Sequence, residues 1–495
     1  MAASVEIQCT CRVCTNIRLT IDNVFCVLDV YGWLLNSYVV DFFQEKLWDK
    51  LPESWRFALH DVSPREFGKW LSGDISCTQV WPLSLLALRQ VTNSLKINRD
   101  HGDPASIISC KLDSTKRNKE ETNKKFQSTK SEVLDKSNSQ DRKFTNLFSK
   151  HIKKKKRYEI QELAHVCADC AYESNCKCIV DIGAGMGHLA RTLAFQHGLC
   201  VTCIEQDSTL LQQARKWDQE LLMSAKKHLL HFCEKVPQHY TAKLESSNLV
   251  ESELVGHLQN LFQNGFNLCK TDAKFGLIGL HSCGDLAPLL LKLYSSRCEA
   301  KFICIVGCCY MKLSLKSQLN ELNGYPLSKY LRSCKNHTLS YTSLEVACHA
   351  IEKYCDKLKT GNYEDLIVHT YRAALETILI KKSEKLRHSQ LRNVKVRKGM
   401  TFQQYCDAAT SYLDTYLQPE DSDINSPDIN AYLNRWKEVI VFGSLRMMLA
   451  PLVETIVLLD RFLFLSEKNL SPTLKPVFDS RLSPRNLVLI SKKNN

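Results

Sequence analysis

The sequence predicts an α/β fold with a mostly parallel sheet and helices on both faces. Three observations predict it. From Cys178 onward, short apolar runs rich in β-branched residues alternate with helical patterns. The first of these runs opens into a glycine-rich turn, "IVDIGAGMGHLA", from Ile179 to Ala190. The stretch "KPVFDSRLSPRNLVLISKK", residues 475–493, reads as two strands about a short turn.

The elements follow in order. Residues 17 to about 98 carry apolar side chains at three-four spacing, as in "VFCVLDVYGWLLNSYVVDFFQEKLWDKL", and predict a helical module. A polar stretch rich in lysine, serine and asparagine follows and predicts a disordered linker. "KHIKKKKRYEIQEL" then offers a basic helix start, suited to RNA contact or nuclear import. The strands predicted next are "CIVDIG", "LCVTCIEQD", "HYTAKLES", "FGLIGLHSCGD" and "AKFICIVGCCYM", with helices between them. From about residue 343 to 467 the pattern is helical, and the terminal hairpin closes the sheet. The expected division is therefore 1–98, an N-terminal helical module; 99–145, a disordered linker; 146–335, the α/β core; 336–470, a helical insertion or cap; and 471–495, the closing hairpin.

Composition narrows the class. The 495 residues include 44% hydrophobic and 24% charged residues, enough for a large core. The net charge of +13 suits an acidic partner such as RNA. The 23 cysteines, without a secretory pattern at the N-terminus, imply reduced thiols and a cytoplasmic or nuclear location. Residues 439–465 are apolar enough to suggest membrane association as the alternative. Arg446, Glu454, Asp460 and Arg461 interrupt them, and each charge at bilayer depth costs about 2.5–3.5 kcal/mol. A membrane span is not expected.

The glycine turn carries the chemistry. Gly183, Gly185 and Gly187 give G-x-G-x-G; the dinucleotide pattern G-x-G-x-x-G would need glycine at His188. Glu205 ends the next strand, 18 residues beyond Gly187, where a carboxylate can accept both hydroxyls of a ribose. The glycine spacing, Asp181 just before the turn and the closing hairpin favour S-adenosylmethionine over NAD. At the fourth strand, "HSCGDL" offers His281 as a base, with Asp285 to orient it or to cap the following helix. At the fifth, "VGCCYMKL" offers Tyr310 to hold a planar acceptor or face the methyl cation. No D-P-P-Y or N-P-P-Y motif stands at the fourth strand. Cys283, Cys308 and Cys309 share this mouth. Cys9, Cys11 and Cys14, and Cys167, Cys170, Cys176 and Cys178, form two further clusters. No C-x-x-C pair frames the mouth. The other two clusters invite a zinc reading, the second awkwardly because it straddles a helix and a strand start. Buried thiols as small hydrophobes are the reading taken, so no metal is expected.

These motifs resemble the methyltransferase-like 25 family. The similar stretches include "DFFQEKLWDKLPESW", "WPLSLLALR", "KKRYEI", "VDIGAGMGHLAR", "WDQELL", "GLHSCGDL", "VGCCYMKL", "GYPLS", "YRAALE", "LAPLVETIVLLDR" and "LSPRNLVL". The resemblance implies a seven-strand class I, Rossmann-like S-adenosylmethionine methyltransferase sheet. It implies Gly183, Gly185, Gly187 and Glu205 as cofactor contacts. Through the basic family stretch it brings Lys155, Lys156 and Glu159 to the site. The H-x-C-G and C-C-Y motifs are also similar to those of a tRNA ribose 2′-O-methyltransferase family. The expected function is methyl transfer to RNA or protein; the alternative is an inactive methyltransferase-fold scaffold or an RNA- or partner-binding module.

Overall fold

The computed structural model describes residues 9–74, 79–110, 152–228, 234–243, 248–266, 274–315, 324–335, 337–361, 363–389, 391–395 and 397–493. They form two compact units. The first gathers Met1–Ile21, Asn98–His337 and Val457–Asn495; the second gathers Asp22–Ile97 and Thr338–Ile456.

The first unit is built on one mixed sheet. Its strands are β1 (Ile108–Ser109), β2 (Cys178–Ile182), β3 (Cys200–Glu205), β4 (Gln238–Thr241), β5 (Phe275–Ser282), β6 (Ala300–Gly307), β7 (Ser471–Pro476) and β8 (Leu487–Lys492). They lie in the order β1-β7-β8-β6-β5-β2-β3-β4. Strands β2 to β6 are mutually parallel, as the alternating helices require. Strand β8 inserts antiparallel between β6 and β7, which is the closing hairpin expected from the sequence. The chain builds outward from β2 to β4, then returns to β5 on the other side of β2. That reversal leaves a crevice at the carboxyl ends of β2 and β5, where open α/β sheets hold their ligands.

The sheet has eight strands where seven were expected. The eighth is β1, whose two residues pair antiparallel with Leu474 and Thr473 of β7. It lies in the stretch expected to be a disordered linker. Polar neighbours hide the short apolar run around Ile107, Ile108 and Cys110, and Cys110 is buried. The rest of that stretch, from Lys111, lies outside the described residues.

Burial explains the strand sequences. All five residues of β2 are buried, so it reads as a continuous apolar run and not as an alternation. The helix Lys154–Glu173 packs Ile160, Leu163, Ala164, Cys167, Cys170 and Ala171 into the same core as Ile179, Cys304 and Val306. That spacing is one helical face. Gly276 in β5 lies under the Phe302 ring of β6: a Cβ there would come within 2.0 Å of the ring.

The second unit is helical among its described residues, as expected for both flanking regions. Its boundaries differ from the expected ones. Residues up to Ile21 group with the sheet, and the helix Trp436–Glu467 contributes to both units, changing between Ile456 and Val457. Two of the charges in this apolar helix, Arg446 and Asp460, find hydrogen-bond partners mainly on the backbone. Arg446 donates to the carbonyls of Leu34 and Leu35 at 3.0 and 3.1 Å. Asp460 accepts from Leu327 N, Ser328 N and Ser328 Oγ at 2.7–2.8 Å. Among the described residues no helix is long and apolar enough to cross a membrane.

Candidate active site

The glycine turn between β2 and the helix His188–His197 takes a conformation that other residues resist. Gly183, Gly185 and Gly187 have φ of 71°, 56° and 69°, in the left-handed region. Gly183 N donates to Ile204 O at 2.8 Å, tying the turn to β3. Gly185 N donates to Glu205 Oε2 at 2.9 Å, while Oε1 accepts from Gln206 N at 2.9 Å and Asp207 N at 3.3 Å. Glu205 thus stands at the strand end where it was expected, but it also braces the turn itself. A carboxylate has about four lone-pair sites and three are taken, so one, on Oε2, remains for a ribose hydroxyl. A Cβ at Gly183 would press on Leu286 and one at Gly187 on His239, whereas one at Gly185 would meet nothing within 4 Å. The turn is therefore packed at both ends and open in the middle.

Behind the turn lies a buried network that sequence reasoning missed. Arg191 Nε donates to Asp218 Oδ1 at 2.6 Å, and its Nη2 donates to Met186 O at 3.1 Å and Ala214 O at 3.3 Å. Asp218 Oδ2 meets His239 Nε2 at 2.5 Å. Arg191 is 6% and Asp218 1% exposed, so this pair stands out of water. Through Met186 the guanidinium holds the turn by its backbone. The only sequence trace is an arginine one helical turn past Gly187; its partners come from two other elements.

On the far side of the crevice, the helix Lys154–Glu173 supplies Glu159, which is 1% exposed. Its Oε2 meets His281 Nε2 at 3.1 Å, Ser483 Oγ donates to Oε1 at 2.6 Å, and Lys155 Nζ lies 3.5 Å from Oε1. His281 sits at a register shift at the end of β5 with φ of 66°, a costly conformation for a side-chain-bearing residue. The structure thus joins Glu159, assigned to the cofactor by resemblance, to His281, assigned to catalysis. Lys156 is half-buried near Glu159, Asp181 and Cys308, and burial lowers its pKa.

Cys283 Sγ lies 2.8 Å from Cys308 Sγ and 3.4 Å from Cys309 Sγ, and this contact with Cys308 pulls the Cys283 thiol down to about 6. Asp285 does not cap the helix Leu286–Ser296, as one reading had it. Its backbone is already helical and no cap bond forms; Oδ1 instead accepts from Ser314 N at 2.8 Å. Tyr310 is only 2% exposed and lies between two guanidiniums, Arg461 at 5.7 Å and Arg485 at 5.4 Å from the ring centre. It forms wall, with its face committed to those cations. A separate cavity of about 740 Å³, lined among others by His349, His369, Arg372, His388 and Arg446, belongs wholly to the second unit and contains none of these residues.

Two buried carboxyls titrate in opposite senses. Burial pushes Asp181 up to about 7, with Lys156 opposing and Glu205 adding to the rise. Burial would also raise Glu159, but the hydrogen bonds from His281 and Ser483 outweigh it and hold it down at about 2. A lowered carboxylate stabilises the fold above its unfolded pKa, about 4.3, and that stability is lost as pH falls toward 2. A raised one acts the other way: the folded state keeps a proton the unfolded chain has lost, so stability falls as pH rises from about 4 to 7. Asp181→Asn removes that loss and should stabilise the first unit at pH 8 by up to about 4 kcal/mol. Thermal melts from pH 4 to 8 check it; parallel profiles for variant and wild type would refute it.

Residues 155–316 match the model of a methyltransferase domain family. The probable methyltransferase-like protein 25 of Mus musculus is 31% identical over 227 residues, covering 44% of this chain and 37% of that protein. Its Homo sapiens counterpart is 33% identical over 228 residues, covering 44% and 36%. The chain thus spans little more than a third of the length of these relatives. Among solved structures, the plantazolicin methyltransferase BpumL in complex with SAH aligns over 72% of this chain and 92% of its own, at 10% identity and a TM-score of 0.20, too low to bear on fold or ligand. The glycine turn, Glu205, Glu159, His281 and Cys308 all fall within the matched residues, so the site lies in the stretch that is similar to a methyltransferase domain, in a chain similar to methyltransferase-like protein 25.

Proposed function

We propose that the first unit binds S-adenosylmethionine and transfers its methyl group to RNA or protein. The observation that carries this reading is the glycine turn: three left-handed glycines, packed at Gly183 and Gly187, open at Gly185, and braced by a carboxylate at the end of the adjacent strand. The crevice at the β2/β5 reversal and the domain match support it. The residues present fit the cofactor: the open middle of the turn admits a ligand against its backbone, and Glu205 keeps acceptor capacity for a ribose.

Bound there, the cofactor supplies an electrophilic methyl on a sulfonium. The turn and Glu205 would hold it, near Asp181 at the end of β2. Methyl displacement depends on alignment more than on strong acid–base groups. His281, fixed by Glu159 at 3.1 Å, is positioned to take a proton from an acceptor hydroxyl or amine. Tyr310, clamped between Arg461 and Arg485, shapes the wall. The lysines at the start of the helix Lys154–Glu173 support an acidic acceptor such as RNA. The cysteine-rich composition supports a reducing compartment, the cytoplasm or nucleus.

The test is incubation of the full chain with methyl-labelled S-adenosylmethionine and cellular RNA and protein fractions. The expected label is sensitive either to ribonuclease or to protease. His281→Ala should lower transfer about 100-fold while leaving cofactor binding intact. Label in neither fraction, or full transfer by the variant, would count against the assignment.

A further inference from the structure

The N-terminal cysteines find a fourth partner that no local spacing reveals. Cys9, Cys11 and Cys14 lie within six residues of one another in sequence, and Cys110 follows β1 about a hundred residues later. In the structure the four sulfurs converge. Cys110 Sγ lies 3.6 Å from Cys9 Sγ, 3.8 Å from Cys11 Sγ and 3.6 Å from Cys14 Sγ. All four lie within 4.8 Å of one another. A tetrahedral zinc with Zn–S of about 2.3 Å sets its sulfurs about 3.8 Å apart.

Two further observations point to a ligand. Cys14 N donates to Cys11 Sγ at 3.4 Å, an amide-to-sulfur bond of the kind that supports a coordinating thiolate. Three of the four residues are buried: Cys9 is 8%, Cys14 0% and Cys110 2% exposed. Buried thiols that serve as small hydrophobes pack against carbon. Here four sulfurs face one centre, and none is paired off with a single neighbour as in a disulfide.

We propose that Cys9, Cys11, Cys14 and Cys110 form a structural zinc site that fastens the N-terminal segment to the β1 edge of the sheet. The site explains how a strand of two residues holds its place. Cys110 N already donates to Pro472 O of β7 at 2.9 Å, so a metal on Cys110 Sγ ties the segment 9–14 directly to the sheet. The cluster Cys283, Cys308 and Cys309 has three sulfurs and lies at the active-site mouth, so it is a separate matter.

Elemental analysis of the purified full chain, prepared without chelator, tests the site. One zinc per chain is expected. Cys14→Ala and Cys110→Ala should lose it, and Cys283→Ala should retain it. Absence of zinc from folded wild type, its retention in a Cys14→Ala, Cys110→Ala double variant, or its loss in Cys283→Ala would overturn the proposal. Should the N-terminal variants fail to fold, cobalt(II) added to metal-stripped wild type decides. Tetrahedral thiolate–cobalt absorption supports the site, and octahedral or absent absorption overturns it.

Discussion

Asp218→Ala lowers the opening free energy of strands β3 and β4 by about 3–5 kcal/mol, read as lost hydrogen-exchange protection in those strands. The size follows from burial. The substitution strands the Arg191 guanidinium, 6% exposed, without its 2.6 Å carboxylate partner, and takes from His239 its 2.5 Å contact. A buried charge that loses its partner carries an uncompensated desolvation cost. The exposed pair Lys226–Glu234, on side chains 51% and 62% exposed, supplies the control: Lys226→Ala should cost less than about 1 kcal/mol. The effect should reach the glycine turn too, because Arg191 also holds Met186 O. Equal losses for the two variants would mean that the network is not the support the geometry shows.

Gly185→Arg abolishes S-adenosylmethionine binding, and Gly185→Ala does not. The contrast isolates the reason. Both variants impose a side chain on a residue at φ of 56°, a strain of about 1–2 kcal/mol that falls on stability in the free and bound states alike. Only arginine extends into the space that stands open above the turn. Binding competition with the labelled cofactor reads the difference. Retained binding by a folded Gly185→Arg would place the ligand elsewhere than over this turn.

Much of the first unit was legible because its signals are local. The run Cys178–Ile182 is apolar because both faces of β2 are buried, and the turn that follows must be glycine because its φ values are positive. The closing hairpin was legible from two apolar runs about a turn. What was not legible joins residues far apart. Arg191, Asp218 and His239 come from two helices and a strand. Glu159 and His281 were each singled out, but not as a pair 3.1 Å apart. Cys110 meets Cys14 across 96 residues. Strand β1 was hidden by polar neighbours, and its pairing with β7 is decided by an edge, not by propensity. Asp285 was a reasonable helix cap by type, yet Ser314 N outcompetes the helix for its carboxylate.

Isothermal titration of the full chain with S-adenosylmethionine, and separately with NAD⁺, addresses the glycine turn most directly. The expected result is one site for S-adenosylmethionine, lost in Gly185→Arg, and no binding of NAD⁺. Binding of NAD⁺, or a folded wild-type chain that takes up neither, would contradict the assignment of this turn to S-adenosylmethionine.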